Sequence, residues 1–264
     1  MNSEDEVTDK LRKQLIHQFK NRVGFADELR YEFDHIWRRI DEHPFLVEMS
    51  NGKLPIEKYR IYAVQNYFYF AEWSRVFAGA ASRAPTAAET LRILKWLTNT
   101  GIEFDSYMAI LKNVGVTGDQ LLDVTTNSGI VLPSFRAYTD YMYRICSTRT
   151  VGEFAACVLP CEWTYSSKDI GGLECALRLA TGLADHYGVD RETALNYGNY
   201  SNKSTHLELI ISLKDAISQE VKKGGQPACE RVRDIFRNAS DYEYLIWESV
   251  YKYSSDDQKV GSNF

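Results

Sequence analysis

From Phe25 onward, the apolar residues of this 264-residue chain recur at three- and four-residue steps, and strand-like alternation bounded by hairpin turns is hard to find. That periodicity predicts an all-α fold. Between Phe25 and Ile40 the positions Leu29, Phe33, Ile36, Trp37 and Ile40 form the stripe of one core-facing helix. His43-Pro44 should end it, because the residue before proline is pushed out of the α region. After the turn Asn51-Gly52-Lys53, Leu54-Pro55 opens a second long helix to about Ala81, with proline where its missing N–H costs nothing. A third runs from Pro85 to Asn113, stopped at Gly115, and a fourth starts at Pro133 and carries Tyr138, Tyr141 and Tyr143. Thr150 or its neighbour caps a fifth, containing Phe154, Cys157, Cys161 and Tyr165, with the glycine pair Gly171-Gly172 beyond it. Cys175 to His186, Thr205 to Lys223 and Pro227 to Tyr253 complete the set. Short turns between long helices imply one compact bundle, spanning residues 23–254.

The flanks differ in character. Residues 1–22 read as a partly helical extension whose helix, roughly Glu6 to Phe19, is sparse in apolar residues. It is expected to pack loosely on the outside or to serve an oligomer contact. Residues 255–264 read as a polar, frayed tail. No repeat of 20 to 50 residues appears, which argues against a solenoid.

Charge and cysteine usage narrow the function. A net charge of −5 disfavours a nucleic-acid binder, and the basic residues from Lys10 to Lys20 and at Lys222-Lys223 read as solvated helix faces. No apolar run reaches the roughly 18 residues that would span a bilayer, and the start Met1-Asn2-Ser3-Glu4-Asp5-Glu6 is acidic, so a cytoplasmic location is expected. The five cysteines, Cys146, Cys157, Cys161, Cys175 and Cys229, lack the paired spacings of a zinc ribbon or a disulfide scaffold. They are expected to be reduced thiols, any one of which is a potential nucleophile.

Three stretches hold candidate chemistry. In Val158-Leu159-Pro160-Cys161-Glu162-Trp163, a proline inside an apolar helix costs about 3 kcal/mol unless compensated, and its kink would free backbone groups beside a thiol. In Tyr242-Glu243-Tyr244-Leu245-Ile246-Trp247, a carboxylate stands among aromatic rings; it is either exposed or a buried proton-handling group with a raised pKa. The run Gln65-Asn66-Tyr67-Phe68-Tyr69-Phe70, with Tyr138 and Tyr200, offers stacking faces with hydrogen-bonding tips, suited to a flat heteroaromatic ligand.

Taken in order, these blocks resemble the TenA (thiaminase II) family. His43-Pro44-Phe45, Asn51-Gly52-Lys53-Leu54-Pro55 and Gln65-Asn66-Tyr67 look like its opening. Pro133-Ser134-Phe135-Arg136-Ala137-Tyr138 resembles its second block, Leu159-Pro160-Cys161-Glu162-Trp163-x-Tyr165 its third and Tyr242-Glu243-Tyr244-x-x-Trp247 its last, over roughly Phe25 to Tyr253. The resemblance implies a heme-oxygenase-like helical bundle, usually a homotetramer, that uses no metal or cofactor and hydrolyses thiamine or its aminopyrimidine breakdown products in thiamine salvage. Carried over by position, Cys161 matches the nucleophile, Glu243 the carboxylate that engages the ring, and Tyr69, Tyr138 and Tyr200 the tyrosines that line the pocket. Asn66 stands where the family usually has an aspartate that contacts the pyrimidine. An amide keeps the size and loses the charge, so the alternative is a non-catalytic or altered-specificity pyrimidine binder.

Bundles of this shape also house heme and di-iron enzymes. His35 or His43 is placed as a heme ligand would be. A di-iron centre needs Glu-x-x-His pairs, whereas Glu103 is followed by Tyr107, and His186 and His206 have no such companion.

Overall fold

The computed structural model describes residues 3–21, 23–127, 130–199 and 203–253. Several of its helices start where a side chain satisfies one of the first free amides. Thr86, Thr117, Thr150 and Asp190 each accept from a backbone N–H three residues on, and Thr117 and Thr150 close reciprocal boxes with Gln120 and Glu153. Each such cap contributes about 1 kcal/mol. His43 does the same with a ring nitrogen, Nδ1 accepting from the Phe45 amide at 3.1 Å while Pro44 takes the first helical position.

The helices are, in order, α1 (Ser3–Lys20), α2 (Phe25–Glu32), α3 (Asp34–Asp41), α4 (Pro44–Ser50), α5 (Ile56–Arg83) and α6 (Ala87–Asn113). Then follow α7 (Gly118–Thr126), α8 (Pro133–Thr148), α9 (Val151–Tyr165), α10 (Cys175–His186), α11 (Arg191–Gly198) and α12 (Ser204–Lys252). Among the described residues there is no strand, and no helix is long and apolar enough to cross a membrane. The single helix expected from Phe25 to Ile40 is two, because Phe33 leaves the helical region (φ −97°, ψ 19°). The segments expected on either side of Gly225 are likewise two helical stretches, numbered together as α12 and separated by a break where that glycine takes φ 60° and ψ −154°.

The innermost pair is α9 along α12; α5 packs on α6 and α8, and α10 covers α4 and α11. Gly152 lets α9 and α12 approach, since a Cβ there would stand 2.8 Å from the Ala216 carbonyl oxygen. Pro160 does not end α9, which continues to Tyr165. Past that end the chain folds back: Trp163 Nε1 donates to the Ile170 carbonyl at 2.7 Å, and the Leu173 and Glu174 amides donate to Thr164 and Ser166. Gly172 is required by this close turn, because a Cβ would fall 2.1 Å from the Ser166 carbonyl oxygen.

Helix α1 is docked by its second half rather than resting loosely. Leu15 and Phe19 are buried, and Phe19 meets the Trp163 ring edge-on at 5.9 Å. Lys214 lies 3.7 Å above the Phe19 ring and 2.6 Å from Asp27, so one buried ammonium is held by a ring and a carboxylate from two different helices. The expected tail 255–264 lies outside the described residues.

Candidate active site

Four long helices meet around a small cavity beside Cys161. Helix α5 contributes Asn66, Tyr69, Phe70 and Trp73, α6 contributes Glu103, α9 contributes Cys161, Glu162 and Tyr165, and α12 contributes Ile246. Its free space is about 30 Å³, room for water and not for a pyrimidine ring, so a ligand must displace side chains to enter. None of the described residues lining it is cationic, and two are carboxylic acids. A wider cleft of about 370 Å³ elsewhere, between Arg83, Arg149 and Glu220, is lined by Cys146 but by none of Asn66, Tyr69, Tyr138, Cys161 and Glu243.

Neighbouring segments fix the walls. The Gln65 amide clasps the chain before α8, donating to the Ile130 carbonyl at 3.0 Å and accepting from the Leu132 amide at 2.8 Å. This holds the α8 entry against the turn of α5 that carries Asn66. The Tyr107 hydroxyl donates to the Ala63 carbonyl at 2.8 Å, so its oxygen can only accept from the Asn66 side chain; burial raises the phenol's pKa well above its ordinary value, against a smaller lowering by that amide. The Tyr165 hydroxyl pairs with that of Tyr62 at 2.8 Å.

Glu243 on α12 is fully buried, its two carboxylate oxygens lacking a hydrogen-bond partner of regular geometry among the described residues. Burial pushes its pKa up to about 7, while the nearby Tyr138 hydroxyl and Cys161 thiol pull it down. Cys161 is affected in the opposite sense for a nucleophile. Burial, then the charges of Glu243 and Glu162, raise its pKa well above the ordinary thiol value, against a smaller pull from the Tyr69 hydroxyl. The resting sulfur is therefore a thiol, and Pro160 gives it no activated helix end.

The structure thus brings Cys161, Glu243, Asn66 and Tyr69 together. Tyr138 is one step behind the cavity wall: its ring lies 5.7 Å from that of Tyr69 and stacks on Tyr242 at 5.2 Å. Tyr200 lies outside the described residues. Sequence reasoning missed Glu162 and Glu103 as parts of the site. Glu162 is buried, lines the cavity, and has its pKa raised to about 8 by burial and by Glu243. Its position beside a candidate nucleophile was a usable signal; Glu103 on α6 gave none. His43 is a helix cap bonded to Glu248 at 3.1 Å, not a free ligand. Among the described residues, no group of three or more His, Cys, Asp or Glu side chains is arranged to hold a metal ion.

The pattern of the TENA/THI-4/PQQC family matches residues 30–253. The chain is 26% identical over 232 residues to an aminopyrimidine aminohydrolase of Halalkalibacterium halodurans, covering 87% of this chain and 96% of that one. It is also 26% identical over 235 residues to an aminopyrimidine aminohydrolase of Bacillus subtilis (strain 168), covering 87% and 91%. Among solved structures it is similar to a TenA homologue from P. horikoshii OT3, with TM-score 0.69 and 25% identity over 87% of this chain and 99% of that one. A heme oxygenase-like domain from Shewanella denitrificans OS217 matches with TM-score 0.68 and 14% identity over 90% and 96%, a likeness of fold alone.

Proposed function

The chain belongs to the TENA/THI-4/PQQC family, and we propose that it is a hydrolase of the aminopyrimidine moiety of thiamine or its breakdown products, in thiamine salvage, with Cys161 as nucleophile. The observation that supports this most is a thiol on α9 beside a buried carboxyl on α12, at a cavity with aromatic walls and no cation. Such a cavity favours a flat ring that carries or acquires positive charge.

The thiol proton passes to Glu243 when a cationic ring enters and offsets the carboxylates. Sulfur then adds to a ring carbon made electron-poor by protonation at a ring nitrogen. The C–N bond at the exocyclic methylene breaks, water adds to that methylene, and the C–S bond breaks to restore the aromatic ring. The sum is R–CH2–NH2 + H2O giving R–CH2–OH + NH3, one displacement divided into easier additions and eliminations. Tyr69 is assigned as a stacking surface, Tyr138 as the phenol behind it that contacts Glu243, and Asn66 as an acceptor, through its amide oxygen, for the ring amino group. Tyr200 is assigned to the pocket by resemblance alone.

Asn66 favours a second reading, a pocket that binds pyrimidines and turns them over poorly. One assay separates the two: hydrolysis of thiamine and of aminomethylpyrimidine by the wild-type protein, Cys161→Ser and Asn66→Asp. Turnover in the wild type that Cys161→Ser abolishes, with ligand binding retained, supports the nucleophile; undiminished turnover in that variant refutes it. Tight binding without turnover, rescued by Asn66→Asp, supports the second reading. A cytoplasmic homotetramer is proposed on the resemblance, to be tested by fractionation and by light scattering.

A further inference from the structure

We propose that Glu162, which lines the cavity beside Cys161 and faces the imidazole of His206, is the acid that protonates the departing amine. The assignment rests on the hydrolase reading above and concerns a group which that reading leaves idle.

The geometry around His206 fixes its tautomer. Its Nε2 lies 3.2 Å from the main-chain oxygen of Glu162 and 2.9 Å from Ser166 Oγ. The Ser166 hydroxyl also lies within donating distance of that same Glu162 oxygen, at 2.9 Å. A carbonyl only accepts, so Nε2 carries the hydrogen. Burial holds the ring neutral, its pKa lowered to about 4. Its other nitrogen, Nδ1, therefore presents a lone pair, and it faces Glu162 Oε2 at 3.5 Å. At that distance no hydrogen bond joins them, and a neutral ring with its hydrogen on Nε2 brings neither a donor nor a charge to stabilise the carboxylate.

Every other group near Glu162 acts in the same direction. Glu243 from α12 and Glu103 from α6 are acidic, Cys161 beside it on α9 is a thiol, and Tyr69 and Tyr165 are neutral phenols. No lysine or arginine among the described residues lines the cavity to stabilise the anion. Two carboxyls so placed cannot both ionise easily, and their titration belongs to the pair. Glu243 takes the thiol proton, and Glu162 is left holding the second.

The chemistry needs that second proton for one class of substrate only. When a primary amine bound in its uncharged form leaves, the C–N electron pair goes to nitrogen, which must take up a proton to depart as ammonia; bound as the ammonium, it brings that proton itself. Glu162 gives that proton as the bond breaks and recovers one from the water that adds to the methylene. When the thiazolium of thiamine leaves, the same electron pair neutralises the ring's own positive charge, and no proton is required.

This difference supplies the test. Hydrolysis of aminomethylpyrimidine and of thiamine is compared in the wild type and in Glu162→Gln. The expected result is a loss of about 10²- to 10⁴-fold in kcat on the amine, the span of general acid catalysis, with less than about tenfold on thiamine. The wild-type rate on the amine should also fall along an alkaline limb that thiamine does not share and that Glu162→Gln does not show, which separates it from titration of the substrate amine. Equal losses on both substrates, or a wild-type amine profile without that limb, overturn the assignment and leave Glu162 a strut between α9 and α12. Glu162→Asp, which withdraws the acid by one methylene, should give the same split in smaller measure and serves where the glutamine form does not fold. A wild type that hydrolyses neither substrate refutes the hydrolase reading and this assignment with it; activity on thiamine alone refutes only this one.

Discussion

At the scale of single residues, Cys161 is suppressed by its own neighbours. The charge on Glu243 is the largest influence after burial that keeps its sulfur protonated, so replacing that carboxylate should affect reactivity and catalysis in opposite directions. Glu243→Gln is expected to speed alkylation of Cys161 by iodoacetamide at pH 8, where wild-type Glu243 is mostly ionised, and to slow turnover by about 10²- to 10⁴-fold. Alkylation rates resolved by peptide mass spectrometry check the first half and steady-state kinetics the second; slower alkylation in the variant would contradict the assigned electrostatics. Most of this site was legible in the sequence, because Asn66, Tyr69, Cys161 and Glu243 sit in recognisable blocks. Glu162 was harder to see: consecutive residues on a helix point about 100° apart, and only the packing of α12 against α9 closes the cavity over both. Glu103 was invisible because its role depends on α6 lying against α5, a contact that no local pattern encodes.

At the scale of elements, the site depends on how closely α9 approaches α12. Gly152→Ala places a methyl group 2.3 Å from the Glu220 Cβ and 2.8 Å from the Ala216 oxygen, so the two helices must separate near the start of α9. Overpacking of this kind costs about 1–3 kcal/mol. Denaturant melts should show that loss with an unchanged slope, and a stability equal to wild type would mean that the helices are not in such contact. Long helices with marked starts were the readable part of the fold: Thr150 and Pro133 were placed correctly as helix openings from their residue types. The break at Phe33 was not, because it leaves the apolar stripe from Leu29 to Ile40 in phase. Helices α7 and α11 have nine and eight residues, too few turns for periodicity to emerge from the loops around them. Pro160 lies inside α9, which continues past it to Tyr165, and burial of nearly every residue of that helix offsets the proline's cost.

For the whole molecule, the buried titratable groups tie stability to pH in a way that a functional site would impose and a purely structural core would not. Glu162 and Glu243 start from an ordinary value of 4.5 and rise in the folded state to about 8 and about 7. Between about pH 4.5 and 8 the unfolded chain has released these protons while the folded chain still holds them, so raising the pH favours unfolding. Their contribution is fully present below pH 4.5 and is lost as pH rises through the folded values. His206 works on the acid side with the opposite sign: its pKa falls from 6.5 to about 4, so the unfolded chain alone binds a proton in that window and stability is lost as pH drops through it. Replacing both carboxyls, in Glu162→Gln with Glu243→Gln, removes the alkaline loss and leaves the histidine's acid loss in place. Thermal melts from pH 4 to 9 should therefore show a difference in Tm between double variant and wild type that grows more positive with pH and levels off above about 8. A difference that stays constant over that range would mean that neither carboxyl carries its proton into the folded state, and with it would go the proton-handling roles assigned to both.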